Sequence, residues 1–130
     1  MTVQFGDCDP GEIVYYPNFF RWFDIGTSEL FASVGLDWSH MFDDCGILGI
    51  PILDAHSKFV HPSRFRDVIT VESGIERWGN TSFKVSHKIY NGDVEAVLGH
   101  EVRAWVVPDD NHPSGFRAQT VPDNIRAHFS

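Results

Sequence analysis

Asp67-Val68-Ile69-Thr70-Val71-Glu72-Ser73-Gly74-Ile75-Glu76-Arg77, then Trp78-Gly79-Asn80, then Ser82-Phe83-Lys84-Val85-Ser86-His87-Lys88-Ile89-Tyr90 and Asn91-Gly92, is the stretch that decides the fold class. In the first run Ile69, Val71, Ser73 and Ile75 fall on one side, and Thr70, Glu72 and Glu76 on the other. In the second, Phe83, Val85, His87 and Ile89 oppose Lys84, Ser86 and Lys88. A period of two marks half-buried strands. Trp78-Gly79-Asn80 reads as a turn, and Asn91-Gly92 as a type I′ hairpin. Downstream, Val94–Val107 reads as one long strand stopped by Pro108. Upstream, Ile47–Val60 reads as another, bent around Pro51.

Further upstream the period changes. Phe19, Phe23, Gly26, Leu30 and Val34 recur every three to four residues, the spacing of one helix face. Pro17 suits the first helical position, where its missing N–H is no loss, and Gly35 suits the stop. The helix is expected to be about 18 residues, or ~27 Å, long. Gly26 within the apolar face costs about 1 kcal/mol relative to Ala, so a sheet packed closely against it is expected. Val3 and Phe5 alternate around Gln4 as a short first strand. Residues 36–46 read as a loop with one short helical turn, and Pro122–Phe129 as a short terminal helix after a polar tail. One long helix followed by hairpin-linked strands argues for an α+β fold, in a single domain over residues 1–130. One helix cannot cover both faces of a five-stranded sheet, and open edges need pairing. A homodimer that continues the sheet is the simplest remedy.

The chain is 42% hydrophobic and 14% aromatic, which excludes a disordered chain. No run approaches ~20 uncharged apolar residues, so no membrane association is expected. No basic-then-apolar leader opens the chain, and its two cysteines are too few for a disulfide framework. Both facts point to reduced thiols in the cytoplasm. The net charge of −8 lies entirely in residues 1–54, which hold nine acids against Arg21. That balance argues against nucleic-acid binding. Residues 58–88 hold six cations (Lys58, Arg64, Arg66, Arg77, Lys84 and Lys88) against three acids. Such an excess serves a solvated sheet face or a small anionic ligand.

The chemistry concentrates in Asp7-Cys8-Asp9-Pro10-Gly11-Glu12-Ile13-Val14-Tyr15-Tyr16-Pro17. An acidic loop runs into a helix N-terminus, where unpaired backbone N–H groups collect. A carboxylate facing such donors can attack a carbonyl, or activate a water to do so, while the donors stabilise the oxyanion. Asp7 is the more ordinary residue of the two acids, a turn-capping carboxylate. Cys8 lies between two carboxylates that disfavour its thiolate. The seven histidines show no ligand spacing, so no metal is expected. Phe19, Phe20, Trp22, Phe23 and Phe31 are read as core, with neighbours of Tyr15 and Tyr16 available to line an aromatic pocket.

The run Phe5-Gly6-Asp7-Cys8-Asp9-Pro10 followed by Ile13-Val14-Tyr15-Tyr16-Pro17-Asn18-Phe19 resembles the hotdog-fold thioesterases of the 4-hydroxybenzoyl-CoA thioesterase family. Gly49-Ile50-Pro51-Ile52, Pro62-Ser63-Arg64-Phe65 and Val121-Pro122-Asp123-Asn124-Ile125-Arg126 extend the resemblance over essentially the whole chain. It implies a hotdog fold, in which a five-stranded antiparallel sheet wraps one long helix. It also implies dimers or dimers of dimers, an interface active site, and hydrolysis of a small or aromatic acyl-CoA such as 4-hydroxybenzoyl-CoA. Asp9 takes the catalytic position and the Tyr16 N–H that of the oxyanion donor. Tyr15, Pro17, Arg64, Arg77 and Thr81 are the candidate substrate contacts. No cofactor is implied, since coenzyme A belongs to the substrate.

Two departures stand out. The family usually has Asp-Pro-Ala-Gly-Ile-Val, whereas Glu12 occupies the Gly position here. If that Gly serves a positive φ or a close ligand approach, Glu12 is strained or reshapes the pocket. Aryl-CoA members also carry a basic run after the Trp of the strand turn. Here Trp78-Gly79-Asn80-Thr81-Ser82 is uncharged, leaving Arg64, Arg66 or Lys84 for phosphate contacts. A hydratase or dehydratase of acyl thioesters is the first alternative, but such enzymes pair Asp with a His on one loop. No His lies within ten residues of Asp9. A non-catalytic CoA-ligand binding module is the second.

Overall fold

The computed structural model describes residues 1–130 and contains α1 (Pro17–Ser33), α2 (Trp38–Cys45), β1 (Ile52–Phe59), β2 (Ile69–Trp78), β3 (Ser82–Asn91), β4 (Val94–Ala104), β5 (Val106–Pro108), β6 (Phe116–Ala118) and α3 (Asp123–Ala127). The main sheet has the order β1-β4-β3-β2, with every neighbouring pair antiparallel. β5 and β6 form a separate two-stranded ribbon. α1 buries Phe19, Trp22, Phe23, Thr27 and Phe31. Burying each large apolar side chain stabilises the fold by about 1.5–3 kcal/mol, so packing outweighs the ~1 kcal/mol cost of Gly26. That glycine is needed: a Cβ there would overlap Ser73 Oγ and lie 3.1 Å from Val71 Cγ1.

The helix-over-antiparallel-sheet architecture is the hotdog fold, with several local differences from the expected elements. The main sheet has four strands rather than five. Residues 1–3 do pair with the start of β2, through a Thr2–Val68 bridge and a Val3 N–H to Asp67 O bond of 2.8 Å. They stop there because Phe5–Asp7 turns as one 3₁₀ turn, leaving Phe5 78% exposed. Residues 38–45 form a full helix. Asp37 caps its start by accepting from the Ser39 N–H at 2.9 Å, and Gly46 closes it in the left-handed region. Pro51 ends the segment before β1 rather than bending a longer strand. Val94–Val107 divides at buried Trp105, whose backbone N–H still bonds Thr81 O at 2.9 Å in the β3–β4 register while its carbonyl accepts the Gln119 N–H of the tail at 2.8 Å, and β6 in that polar tail partners β5. In the β3–β4 turn only Gly92 has a positive φ, whereas type I′ requires two such residues.

Two apolar clusters fill the space between α1 and the sheet. One is built around Phe31, Phe83, Trp105 and Ile125, the other around Phe19, Phe23, Ile69 and Val97. Between them lies a buried polar network. Glu101 Oε1 accepts from Thr27 Oγ1, lies 3.1 Å from His87 Nε2, and takes Arg103 Nε at 3.3 Å. Arg103 Nη2 also donates to Glu101 Oε2 at 2.9 Å and to Asp24 Oδ1 at 2.7 Å. His87 Nδ1 meets Ser73 Oγ at 2.7 Å. Burial pushes the Glu101 carboxyl up, but the hydrogen bonds from His87, Arg103 and Thr27 together outweigh it and hold the pKa at about 2.

Candidate active site

The acidic loop is a tight hairpin. The Asp9 N–H donates to Ile13 O at 2.9 Å, the Glu12 N–H to Asp9 O at 2.9 Å, and Cys8 bridges Val14. Asp9 Oδ1 accepts the Gly11 N–H at 2.8 Å. Its second oxygen accepts no hydrogen bond within the chain and remains free for chemistry. Glu12 carries a φ of 66°. The left-handed turn that a Gly would supply therefore falls on a residue with a Cβ. That strain costs about 1–2 kcal/mol.

Asp7 acts as a turn residue. Its carboxylate accepts from the Gln4 N–H at 2.8 Å, while its carbonyl accepts the Tyr15 N–H and Asn18 Nδ2, each at 2.8 Å. These bonds consume the Tyr15 donor. The Tyr16 N–H donates to no acceptor in the chain, and Pro17 has none to offer. The next donors close the first turn, from Asn18 to Tyr15 O at 3.0 Å and from Phe19 to Tyr16 O at 3.1 Å. Tyr16 thus presents the free backbone donor at the helix start, with the local dipole behind it.

Asp9 and Tyr16 line two separate cavities of the chain. The first, about 590 Å³, is lined by Phe5, Cys8, Asp9, Pro10, Glu12, Arg64 and Phe65. The second, about 320 Å³, has Ile13, Val14, Tyr16, Phe19, Phe59 and Val60 among its walls. The Ile13–Val14 segment lies between Asp9 and Tyr16 in the chain, and Val14 is tied down by its N–H to Ser63 O at 2.8 Å. Tyr15 packs edge-on against Tyr16 at 5.6 Å, and Pro17 holds the first helical position. Arg64 lies on the wall of the Asp9 cavity. Arg77 and Thr81 sit at the far end of β2 and in the following turn, roughly 30 Å along a ten-residue strand from its start. Within one chain they do not meet Asp9.

Two features escaped the reading of the sequence. One is a clamp: Asp67 Oδ2 accepts from the Arg64 N–H and from Asn91 Nδ2, both at 2.8 Å. The Arg64 backbone bond, then Asn91, holds the Asp67 carboxyl below its usual range. The other is the Glu101 network. Its signal is Glu101-Val102-Arg103, where two charges share one strand face on either side of a valine.

Residues 3–129 match the family described as the Thioesterase-like superfamily. The chain belongs to that superfamily. It is accordingly a thioesterase. It is 35% identical, over 126 residues, to a 4-hydroxybenzoyl-CoA thioesterase of Pseudomonas sp. (strain CBS-3), covering 92% of this chain and 87% of that one. The crystal structure of a 4-hydroxybenzoyl CoA thioesterase mutant complexed with 4-hydroxybenzoyl CoA superposes with a TM-score of 0.88 at 32% identity, over 100% of this chain and 95% of that chain. A gentisyl-coenzyme A thioesterase gives 0.83 at 28% identity, over 99% and 95%.

Proposed function

We propose that this thioesterase hydrolyses an aryl-CoA thioester, with a hydroxybenzoyl group as the first candidate, to the free acid and coenzyme A. The observation that carries the reading is a carboxylate with one free oxygen on the loop leading to an unspent N–H at a helix start. Asp9 attacks the thioester carbonyl or activates the attacking water, and the Tyr16 N–H receives the charge that develops on the carbonyl oxygen. Similarity to enzymes named for hydroxybenzoyl and gentisyl thioesters supports the aromatic acyl group. Aromatic walls at Tyr16, Phe19 and Phe59, with Tyr15 edge-on behind Tyr16, suit it as well. Tyr15, Pro17, Arg64, Arg77 and Thr81 are assigned to substrate binding. The chemistry calls for no metal or organic cofactor, since the carboxylate and the backbone donor suffice.

The working assembly in this reading is a homodimer, or a dimer of dimers, whose second subunit completes the site between the two cavities. No helix is long and apolar enough to cross a membrane. Cys8 and Cys45 are both free thiols, which supports a cytoplasmic setting. The direct test is Asp9→Asn, assayed by free-thiol release from a panel of acyl-CoA esters. The variant is expected to lose about 10²-fold or more in kcat on its best aryl substrate. Undiminished hydrolysis overturns the assignment of Asp9.

A further inference from the structure

Arg64 is the only cation among the seven residues lining the Asp9 cavity, which also carries the acids Asp9 and Glu12. It pairs with neither. No salt bridge in the chain involves Arg64. Its one side-chain hydrogen bond, from Nη1 to Glu12 O, is long at 3.4 Å. Most of the five donors of a planar guanidinium are therefore unspent.

The base of that side chain is fixed. The Arg64 N–H is held by the Asp67 carboxylate, Arg64 O accepts the Asp67 N–H at 3.0 Å, and Asn91 holds Asp67 in turn. The preceding residue, Ser63, is buried and accepts the Val14 N–H, so the loop carrying Arg64 is bonded directly to the loop carrying Asp9. Two cations elsewhere in the chain are already engaged. Lys84 pairs with Glu76 at 2.9 Å, and Arg126 Nη2 donates to Gly79 O at 2.7 Å and Asn80 O at 3.2 Å. Arg66 stacks over the Phe65 ring at 5.0 Å. An anionic substrate entering the Asp9 cavity meets two like charges and this one counter-charge on its walls, Arg66 not being among the lining residues.

We infer that Arg64 is the anion-binding residue of the Asp9 cavity, its guanidinium receiving an anionic oxygen of the thioester substrate. The inference rests on the thioesterase reading of Asp9. An anionic oxygen has two sources in such a substrate, a phosphate of the coenzyme or an ionised group on the acyl moiety. Arginine serves either by paired, charge-assisted hydrogen bonds.

Steady-state kinetics of Arg64→Gln and Arg64→Lys separate the sources. Four substrates are used: benzoyl and 4-hydroxybenzoyl, each as the CoA ester and as the pantetheine ester without phosphates. Arg64→Gln is expected to raise KM about tenfold, or 1.4 kcal/mol, with kcat within about threefold, and Arg64→Lys to restore part of the loss. A penalty on both CoA esters that vanishes with pantetheine assigns the phosphate. A penalty confined to the hydroxylated acyl group, and retained with pantetheine, assigns the acyl oxygen. KM unchanged within twofold on all four, with a native melting profile, overturns the proposal. Should Arg64→Gln fail to fold, Arg64→Lys is read by the same criterion. Should the wild type hydrolyse none of the four, the thioesterase reading of the site fails separately. Arg64 is then judged by calorimetric CoA binding, where a tenfold weakening in Arg64→Gln supports it and unchanged or absent binding overturns it.

Discussion

Glu12 closes the Asp9 loop in a left-handed backbone conformation that its Cβ disfavours. Its neighbours matched a pattern that has Gly in its place, and the expected strain is present as a φ of 66°. Gly11, one position earlier, does not take over the left-handed turn. The geometry belongs to the position, since the Glu12 N–H must reach back to Asp9 O to close the loop. Replacing Glu12 by Gly removes about 1–2 kcal/mol of strain and adds roughly 0.5–1 kcal/mol of unfolded-chain entropy. Glu12→Gly is therefore expected to be more stable by about 0.5–1 kcal/mol, measured by urea denaturation. Equal or lower stability would mean that the Glu12 side chain makes contacts that offset its backbone strain.

Among the elements, α1 was the most legible. Its start at Pro17, its apolar face and the close approach at Gly26 all follow from spacing, because burial and helical period act together there. The alternating runs of β2 and β3 were equally clear. The β5–β6 ribbon was not: three-residue strands hold no period, and their pairing is set by the turn of the chain at Trp105. The Glu101 network was also hidden, because alternation predicts which residues face inward and not which partners they find. That network ties α1, through Asp24 and Thr27, to β3 and β4. Glu101 is 1% exposed, and its pKa of about 2 lies below the ordinary 4.5. A depressed carboxyl pKa stabilises the fold above the unfolded value and ceases to do so as pH falls through the folded one. On the order of 3 kcal/mol is therefore lost between about pH 4.5 and 2. Glu101→Gln is expected to lose about 3 kcal/mol or more at neutral pH, because Arg103 loses its buried counter-charge and keeps only the half-exposed Asp24 carboxylate and the Ile50 carbonyl. Its stability should then vary less with pH across the same acid window. Thermal melts at stepped pH check both, and a variant as stable as the wild type at neutral pH would show that the network is not a net stabiliser.

For the molecule as a whole, β1 is the exposed edge of the main sheet. This strand pairs with β4 along one edge and with nothing along the other. It is exposed on both faces along nearly its whole length, and Leu53 is 64% exposed. Phe59 and Val60 continue that apolar surface to the wall of the Tyr16 cavity. A long edge strand without proline or a covering segment is a template for pairing with another chain. A second copy placed there would extend both sheets and bring new walls to the cavity next to Asp9. Such a partner would also close over Asp9 and Tyr16, which line two separate cavities of the single chain. Pairing through β1 therefore makes a joint prediction about mass and rate. Sedimentation at micromolar concentration is expected to give at least a dimer for the wild type. Leu53→Lys, which puts a charge on the exposed β1 edge, is expected to shift the protein towards monomer. It should also lower kcat/KM at least about tenfold, although residue 53 is far in sequence from Asp9. A monomeric variant with full activity would sever the assembly from the chemistry, and a wild-type monomer would remove the dimer altogether.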